Sequence, residues 1–181
     1  MPEAMADRGS ELVADRACGS CNMCCKVFAF PQMSKPAGSW CVHVALGKGC
    51  GIYDDRPDYC RSFFCDWRRN PQLGPEWKPD RARFVLSAYP GTGALAVTVD
   101  PAAPAAWRKE PYYSQIKQWV RQALAQGTQV IVLIGNRVII PLPASDVDIG
   151  VLNPGDRVNI VQKNGVLGVE VERAPPGAAE A

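Results

Sequence analysis

Eight cysteines fall between Cys18 and Cys65, and the 181-residue chain has no others. Four are crowded into Cys18-x2-Cys21-x2-Cys24-Cys25, and Cys41, Cys50, Cys60 and Cys65 follow. A C-x2-C spacing lets two thiolates converge on one ion while the intervening backbone N–H groups turn toward the sulfurs, and Gly19 eases that turn. All eight are candidate metal ligands: Cys18, Cys21, Cys24, Cys25, Cys41, Cys50, Cys60 and Cys65. The cofactor expected on them is a zinc ion or an iron–sulfur cluster, since both accept four thiolates at tetrahedral spacing.

Geometry limits how the thiols are shared. In a regular helix Cys18 to Cys25 would fill a sector of about 120°, with the two ends about 10 Å apart along the axis. One zinc with bonds near ~2.3 Å could not reach both ends. Either the segment begins as a non-helical knuckle, or it feeds two sites or a larger cluster. Further on, Asp55 is a candidate cap for a short helix with Pro57 in its first turn, aiming Cys60 inward. That helix should end before Cys65 if both ligate one centre. Phe63, Phe64 and Trp67 are expected to keep water off the sulfurs, with Trp40 and Trp77 also wrapping the region. Lys26, Lys48, Arg56, Arg61, Arg68 and Arg69 are close enough in sequence to offset thiolate charge, or to form a solvated surface with Asp54, Asp55, Asp58 and Asp66.

These residues, Cys18-x2-Cys21-x2-Cys24-Cys25, Cys41 and Cys50-x-Ile-Tyr-x-x-Arg-Pro-x-x-Cys60-Arg-x-Phe-x-Cys65, resemble the bacterial and archaeal YkgJ-like cysteine-cluster family, to which zinc or iron chelation is ascribed. The resemblance covers roughly the N-terminal third and implies a metal site built from the eight cysteines. Members often carry the label iron–sulfur oxidoreductase. A related cysteine module occurs in flagellin lysine methylases, but nothing outside the module here supports methyl transfer.

Other readings of the thiols are a disulfide framework, with 105 possible pairings, and redox catalysis by Cys18-Gly-Ser-Cys21. The lack of an export signal and the crowding of Cys24 against Cys25 argue against the first. The second lacks a thioredoxin-like βαβ context. His43, the only histidine, is a possible ligand or a packed residue. No carboxylate pair, Ser-His-Asp set or glycine-rich phosphate loop offers a competing active site.

The elements that must position these thiols are few in the cysteine region itself, which is rich in Gly, Pro, Ser and Asp and poor in periodic apolar stretches. Metal is expected to fold it. From Arg81 the pattern changes. Ala82 to Tyr89 and Leu95 to Val99 alternate around Gly91-Thr92-Gly93 as a first hairpin. Tyr112, Ile116, Trp119, Val120, Ala123 and Leu124 form one face of a helix with Pro111 at its start and Gly127 as its C-terminal cap. Gln129–Ile134 and Arg137–Pro141 flank Gly135-Asn136 as a second hairpin, and Arg157–Gln162 and Val166–Glu172 form a third.

The expected architecture is therefore α+β: a flexible N-terminus over 1–17, a small cysteine-rich, metal-stapled module over 18–80, a compact unit of about three β-hairpins and one amphipathic helix over 81–173, and a disordered tail over 174–181. Composition is that of a globular protein, with 47% hydrophobic residues, 21% charged and a net charge of +2. That charge gives no ground for a nucleic-acid partner. No apolar run is long enough to span a bilayer. The expectation is a cytoplasmic protein with an unidentified protein or redox partner.

Overall fold

The computed structural model describes residues 11–153 and 155–175. The outermost parts of the expected flexible N-terminus and disordered tail, 1–10 and 176–181, lie outside the described residues. From Glu11 on, the N-terminal stretch is tied down. The Val13 N–H donates to Arg68 O at 2.9 Å, and the Arg16 guanidinium donates to the carbonyls of Trp67, Asn70 (2.8 Å), Pro71 (3.2 Å) and Leu73 (2.6 Å).

The cysteine region consists of short pieces. They are α1 (Met23–Val27), a two-residue ribbon of β1 (Val44–Ala45) and β2 (Gly49–Cys50), α2 (Asp58–Arg61), α3 (Asp66–Arg69) and α4 (Pro79–Ala82). The rest is regular: β3 (Phe84–Ala88), β4 (Leu95–Val99), α5 (Tyr112–Ala125), β5 (Val130–Ile134), β6 (Arg137–Pro141), β7 (Asp146–Val151), β8 (Arg157–Lys163) and β9 (Val166–Glu172). The fold is α+β, and the three expected hairpins are β3–β4, β5–β6 and β8–β9.

One five-stranded sheet runs in the order β3-β4-β5-β6-β7, and β8–β9 stands as a separate ribbon. All its pairings are antiparallel except β4–β5, which is parallel with Val97 opposite Val132. A parallel pair needs a crossover connection, and α5 supplies it. The fifth strand, β7, was not anticipated, although Val147, Ile149 and Val151 alternate with Asp146, Asp148 and Gly150 as a half-buried strand should.

Both faces of the sheet are covered, which is why β4 is buried at every position rather than at alternate ones. On one face Ile116, Trp119, Val120 and Ala123 of α5 pack with Phe84, Leu86, Val97 and Val132. Trp77 joins this core, 5.1 Å from Trp119 and 5.0 Å from Tyr112 between ring centroids. It does not wrap the cysteines, because the turn over Pro75–Trp77 faces it toward α5. The opposite face carries two layers. Ile131, Val138 and Ile140 meet Val158, Ile160, Leu167 and Val169 of the β8–β9 ribbon, and Val85 meets Met23 and Val27 of α1.

Gly127, at φ +70°, ends α5: its N–H donates to Leu124 O at 3.2 Å and the Thr128 N–H to Ala123 O at 2.8 Å, the paired bonds of a Schellman cap. Lys117 of α5 is only 8% exposed. Its ammonium donates to Ser145 O at 3.0 Å and Asp146 Oδ1 at 2.7 Å, as well as to Leu142 O. The buried charge is thereby paired across to β7. Among the described residues no helix is long and apolar enough to cross a membrane.

Candidate metal centre

The eight sulfurs are delivered by six local devices. Cys18 and Cys21 sit on a non-helical knuckle: the Cys21 N–H donates to Cys18 O at 2.9 Å, and Gly19 takes φ +53°. Helix α1 begins only at Met23, so Cys24 and Cys25 are the helical pair, with their sulfurs 4.0 Å apart. Met23 and Val27, on the same short helix, are buried against Val85 and hold it to the sheet.

Cys41 is tied to α1 by its N–H donating to Cys25 O at 3.1 Å, and the loop continues through the Val44 N–H donating to Cys41 O at 3.1 Å. Cys50 ends β2 opposite Val44. A Cβ on Gly49 would lie 2.7 Å from Gly19 O, so only glycine lets the β1–β2 ribbon lie this close to the knuckle.

Cys60 lies in α2, which starts at Asp58 with Pro57 before it; Asp55 is not its cap. The Asp55 N–H donates instead to Ile52 O at 3.0 Å in a preceding turn. The helix ends at Arg61, and Cys65 then caps α3 from outside it. This is the break that bringing both thiols inward demands.

All eight cysteines line one cavity of about 90 Å³, together with His43, Arg56, Tyr59, Phe63, Phe64 and Val85. That is the scale of ions or a small inorganic cluster, well below the roughly 300–1,000 Å³ of an organic ligand pocket. Among the described residues no three His, Cys, Asp or Glu donors already converge on a single metal position. Closing on an ion therefore requires thiols to rotate between staggered positions.

Phe63 and Phe64 line the cavity as expected, but Trp67 does not. Its Nε1–H donates to Gly74 O at 3.2 Å, and the Arg16 guanidinium lies 4.9 Å from its ring centroid. These contacts turn the ring of Trp67 toward Arg16 and Gly74 and away from the thiols. Trp40 is 42% exposed under the Lys26 ammonium, 5.1 Å from its centroid.

The expected cations divide in the same way. Arg68 Nη1 donates to Cys18 Sγ at 3.4 Å, and Arg56 lines the cavity. Lys26 instead pairs with Asp100 at 2.7 Å, Arg61 Nε donates to Arg56 O at 2.6 Å, and Lys48 is exposed. Lys35 had not been singled out. It is 7% exposed, donates to Lys26 O and Pro36 O at 3.1 Å, and acts electrostatically on Cys25 and Cys41. Nothing in its local sequence marks it; the short turn over Pro31–Met33 folds it back onto Phe30.

Burial pushes the thiols of Cys21 and Cys60 up and that of Cys65 up to about 11. Cys24 and Cys25 split. The hydrogen bond between Cys24 and Cys25 raises Cys24 well above its ordinary value and lowers Cys25 to about 7, with Lys35 and Arg56 assisting the latter.

Family models, curated proteins and solved structures all offer no match to this chain. The case for metal rests on the donor set. Eight sulfurs around one small cavity suit soft and borderline metals. The nearly buried Arg68, whose Nε–H has no partner, calls for an anion beside it, and thiolates supply that charge.

Proposed function

We propose that this protein is a metal-binding protein whose eight-cysteine module holds zinc or an iron–sulfur cluster, the metal at least folding the module. The supporting observation is that all eight thiols, spread over 48 positions from Cys18 to Cys65, line the same small cavity. The apolar packing of this region consists of Met23, Val27 and Val85 with their partly buried neighbours. So small a cluster leaves metal–sulfur bonds as the main candidate for holding the 40–60 loop.

When bound, zinc would supply cross-linking and an iron–sulfur cluster would add one-electron transfer. The chain's own residues do the rest. Phe63 and Phe64 limit water at the sulfurs, Arg68 donates to Cys18, and Lys35 and Arg56 bring positive charge toward Cys25.

A second reading is an iron–sulfur oxidoreductase or electron-transfer protein acting on an unidentified partner. It is favoured by exposed apolar side chains on the loop that carries Cys41 and Cys50: Val42 is 85% exposed and Leu46 70%. Such a patch beside a centre suits a redox partner's approach.

Anaerobic purification followed by metal analysis, a visible spectrum and chelation tests both readings. Bound metal, and loss of circular dichroism and protease resistance over 18–65 on chelation, are expected. A protein that carries no metal, or whose N-terminal third is indifferent to chelation, overturns the first reading. A colourless, zinc-loaded protein overturns the second.

A further inference from the structure

Cys24 and Cys25 are neighbours in sequence and in space, yet the elements around them lead in different directions. On the Cys24 side, Cys21, Cys24 and Cys65 pack together against Met23, Val27 and Val85 at the sheet. Cys18 belongs to the same group, because it shares the knuckle with Cys21 and receives the Arg68 donor three residues beyond Cys65.

On the Cys25 side, the backbone of Cys25 accepts from the Cys41 N–H. The Cys41 loop runs into the β1–β2 ribbon that ends in Cys50, and the Gly51 N–H donates to His43 O at 2.8 Å, closing that loop on itself. Cys60 completes this group. Its neighbouring ring, Tyr59, stacks 5.3 Å from Phe30, and Phe30 bridges to Lys35.

Apart from the Cys24–Cys25 contact at the seam, the neighbours of the two later cysteines fall on the same lines. Cys65 feels Cys21 and Cys18, whereas Cys60 feels Cys25, Cys41 and Cys50. Arg68 donates to Cys18 of the first group, while Lys35 and Arg56 act on Cys25 of the second, Lys35 reaching across the seam to Cys24 as well.

Resting on the metal-binding reading above, we infer that the module holds two separate four-thiolate centres: an inner one of Cys18, Cys21, Cys24 and Cys65 against the sheet, and an outer one of Cys25, Cys41, Cys50 and Cys60 on the 40–60 loop. The seam between them runs through Cys24–Cys25 and the close approach of Gly49 to Gly19. Four thiolates complete a tetrahedral site, so neither centre needs His43. The inner centre fixes α1 to β3, and the outer one orders the loop bearing Val42 and Leu46.

Cobalt(II) titration of the full chain, stripped of metal under anaerobic and reducing conditions, tests the division through the absorption of tetrahedral cobalt thiolates. Two equivalents are expected. Cys21→Ser or Cys65→Ser should abolish one four-thiolate signature, and Cys41→Ser or Cys60→Ser the other. Two substitutions within a set should remove about half the wild-type signal, and one in each set all of it. Should Cys65→Ser misfold, Cys18→Ser replaces it.

A single equivalent in the wild type overturns the division, as does loss of the whole signal on one substitution or equal loss for same-set and cross-set pairs. Wild-type protein that binds no cobalt overturns the metal-binding reading itself.

Discussion

The ammonium of Lys26 lies 2.7 Å from Asp100 Oδ1, so the helix that presents Cys24 and Cys25 is fastened to the end of β4. Asp100 is fully buried. Its other oxygen accepts from Arg83, and Oδ1 also takes the Ala102 N–H at 3.0 Å. The cysteine module and the sheet thus share an ion pair as well as the Val85 contact.

Asp100→Asn should destabilise the protein by roughly 2–4 kcal/mol, because it leaves Lys26 without its counter-charge in a mostly buried place. Burial alone would raise the Asp100 carboxyl. The bonds from Lys26 and the Ala102 N–H and the Arg83 charge outweigh it, and the net position is below the ordinary carboxylate value. A lowered folded-state value means the stabilisation is present above the unfolded carboxylate range and lost as pH falls through the folded one. Denaturant unfolding of wild type should therefore weaken below about pH 4, with a shallower slope in the Asn variant. Equal slopes would show that the pair is not linked to stability.

Gly49→Ala tests the contact between ribbon and knuckle. The backbone sits at φ +111°, and the added Cβ would meet Gly19 O at 2.7 Å. Strain of roughly 1–3 kcal/mol is expected, read as a fall in thermal midpoint of about 2–4 °C per kcal/mol for a chain of this size. Gly47→Ala, also at positive φ (+75°) but with nothing within 4 Å, is the control. If the two variants lose the same stability, the close approach contributes nothing.

Arg68→Ala removes the one side-chain donor seen, among the described residues, on a cysteine sulfur from outside the cysteines, Nη1 to Cys18 at 3.4 Å. Partners of metal ligands are typically worth 10–100-fold in affinity, so competition with a chromophoric chelator should show metal held about 10–100-fold more weakly. Arg68→Lys should recover part of that loss by charge, without the planar fork. Unchanged affinity in the alanine variant would reduce Arg68 to a packing role.

How much of this was legible in the sequence differs between the two regions. Turn chemistry and local alternation mark the hairpins around Gly135-Asn136 and Asn164-Gly165, and 3.6-residue spacing marks α5. The parallel β4–β5 pairing is not local, since it depends on where α5 returns the chain, and the burial of Lys117 depends on β7 being there to receive it. In the site, the C-x2-C-x2-C-C spacing already required a knuckle or more than one centre, and the structure has the knuckle. Lys35 was invisible because it reaches the thiols by a turn, and Trp67 and Trp77 misled because nearness in sequence to cysteine says nothing of which way a ring points.

The split between Cys24 and Cys25 makes a prediction about reactivity. In metal-stripped protein the Cys25 thiol, lowered to about 7 chiefly by its hydrogen bond with Cys24, is largely thiolate at pH 7.5. The Cys65 thiol, raised by burial to about 11, is almost wholly protonated there. The thiolate is the nucleophile, so iodoacetamide at pH 7.5 should alkylate Cys25 well before Cys65, as followed by peptide mass spectrometry. Lowering the pH from 8 to 6 should slow Cys25 labelling in proportion to its thiolate fraction, with half the plateau rate near pH 7. Cys65 labelling should stay slow throughout. Restoring metal should protect Cys25, because a sulfur bound to an ion no longer offers its lone pair to the reagent. Comparable rates at the two cysteines would mean that the hydrogen bond across the 4.0 Å Cys24–Cys25 contact does not hold in solution.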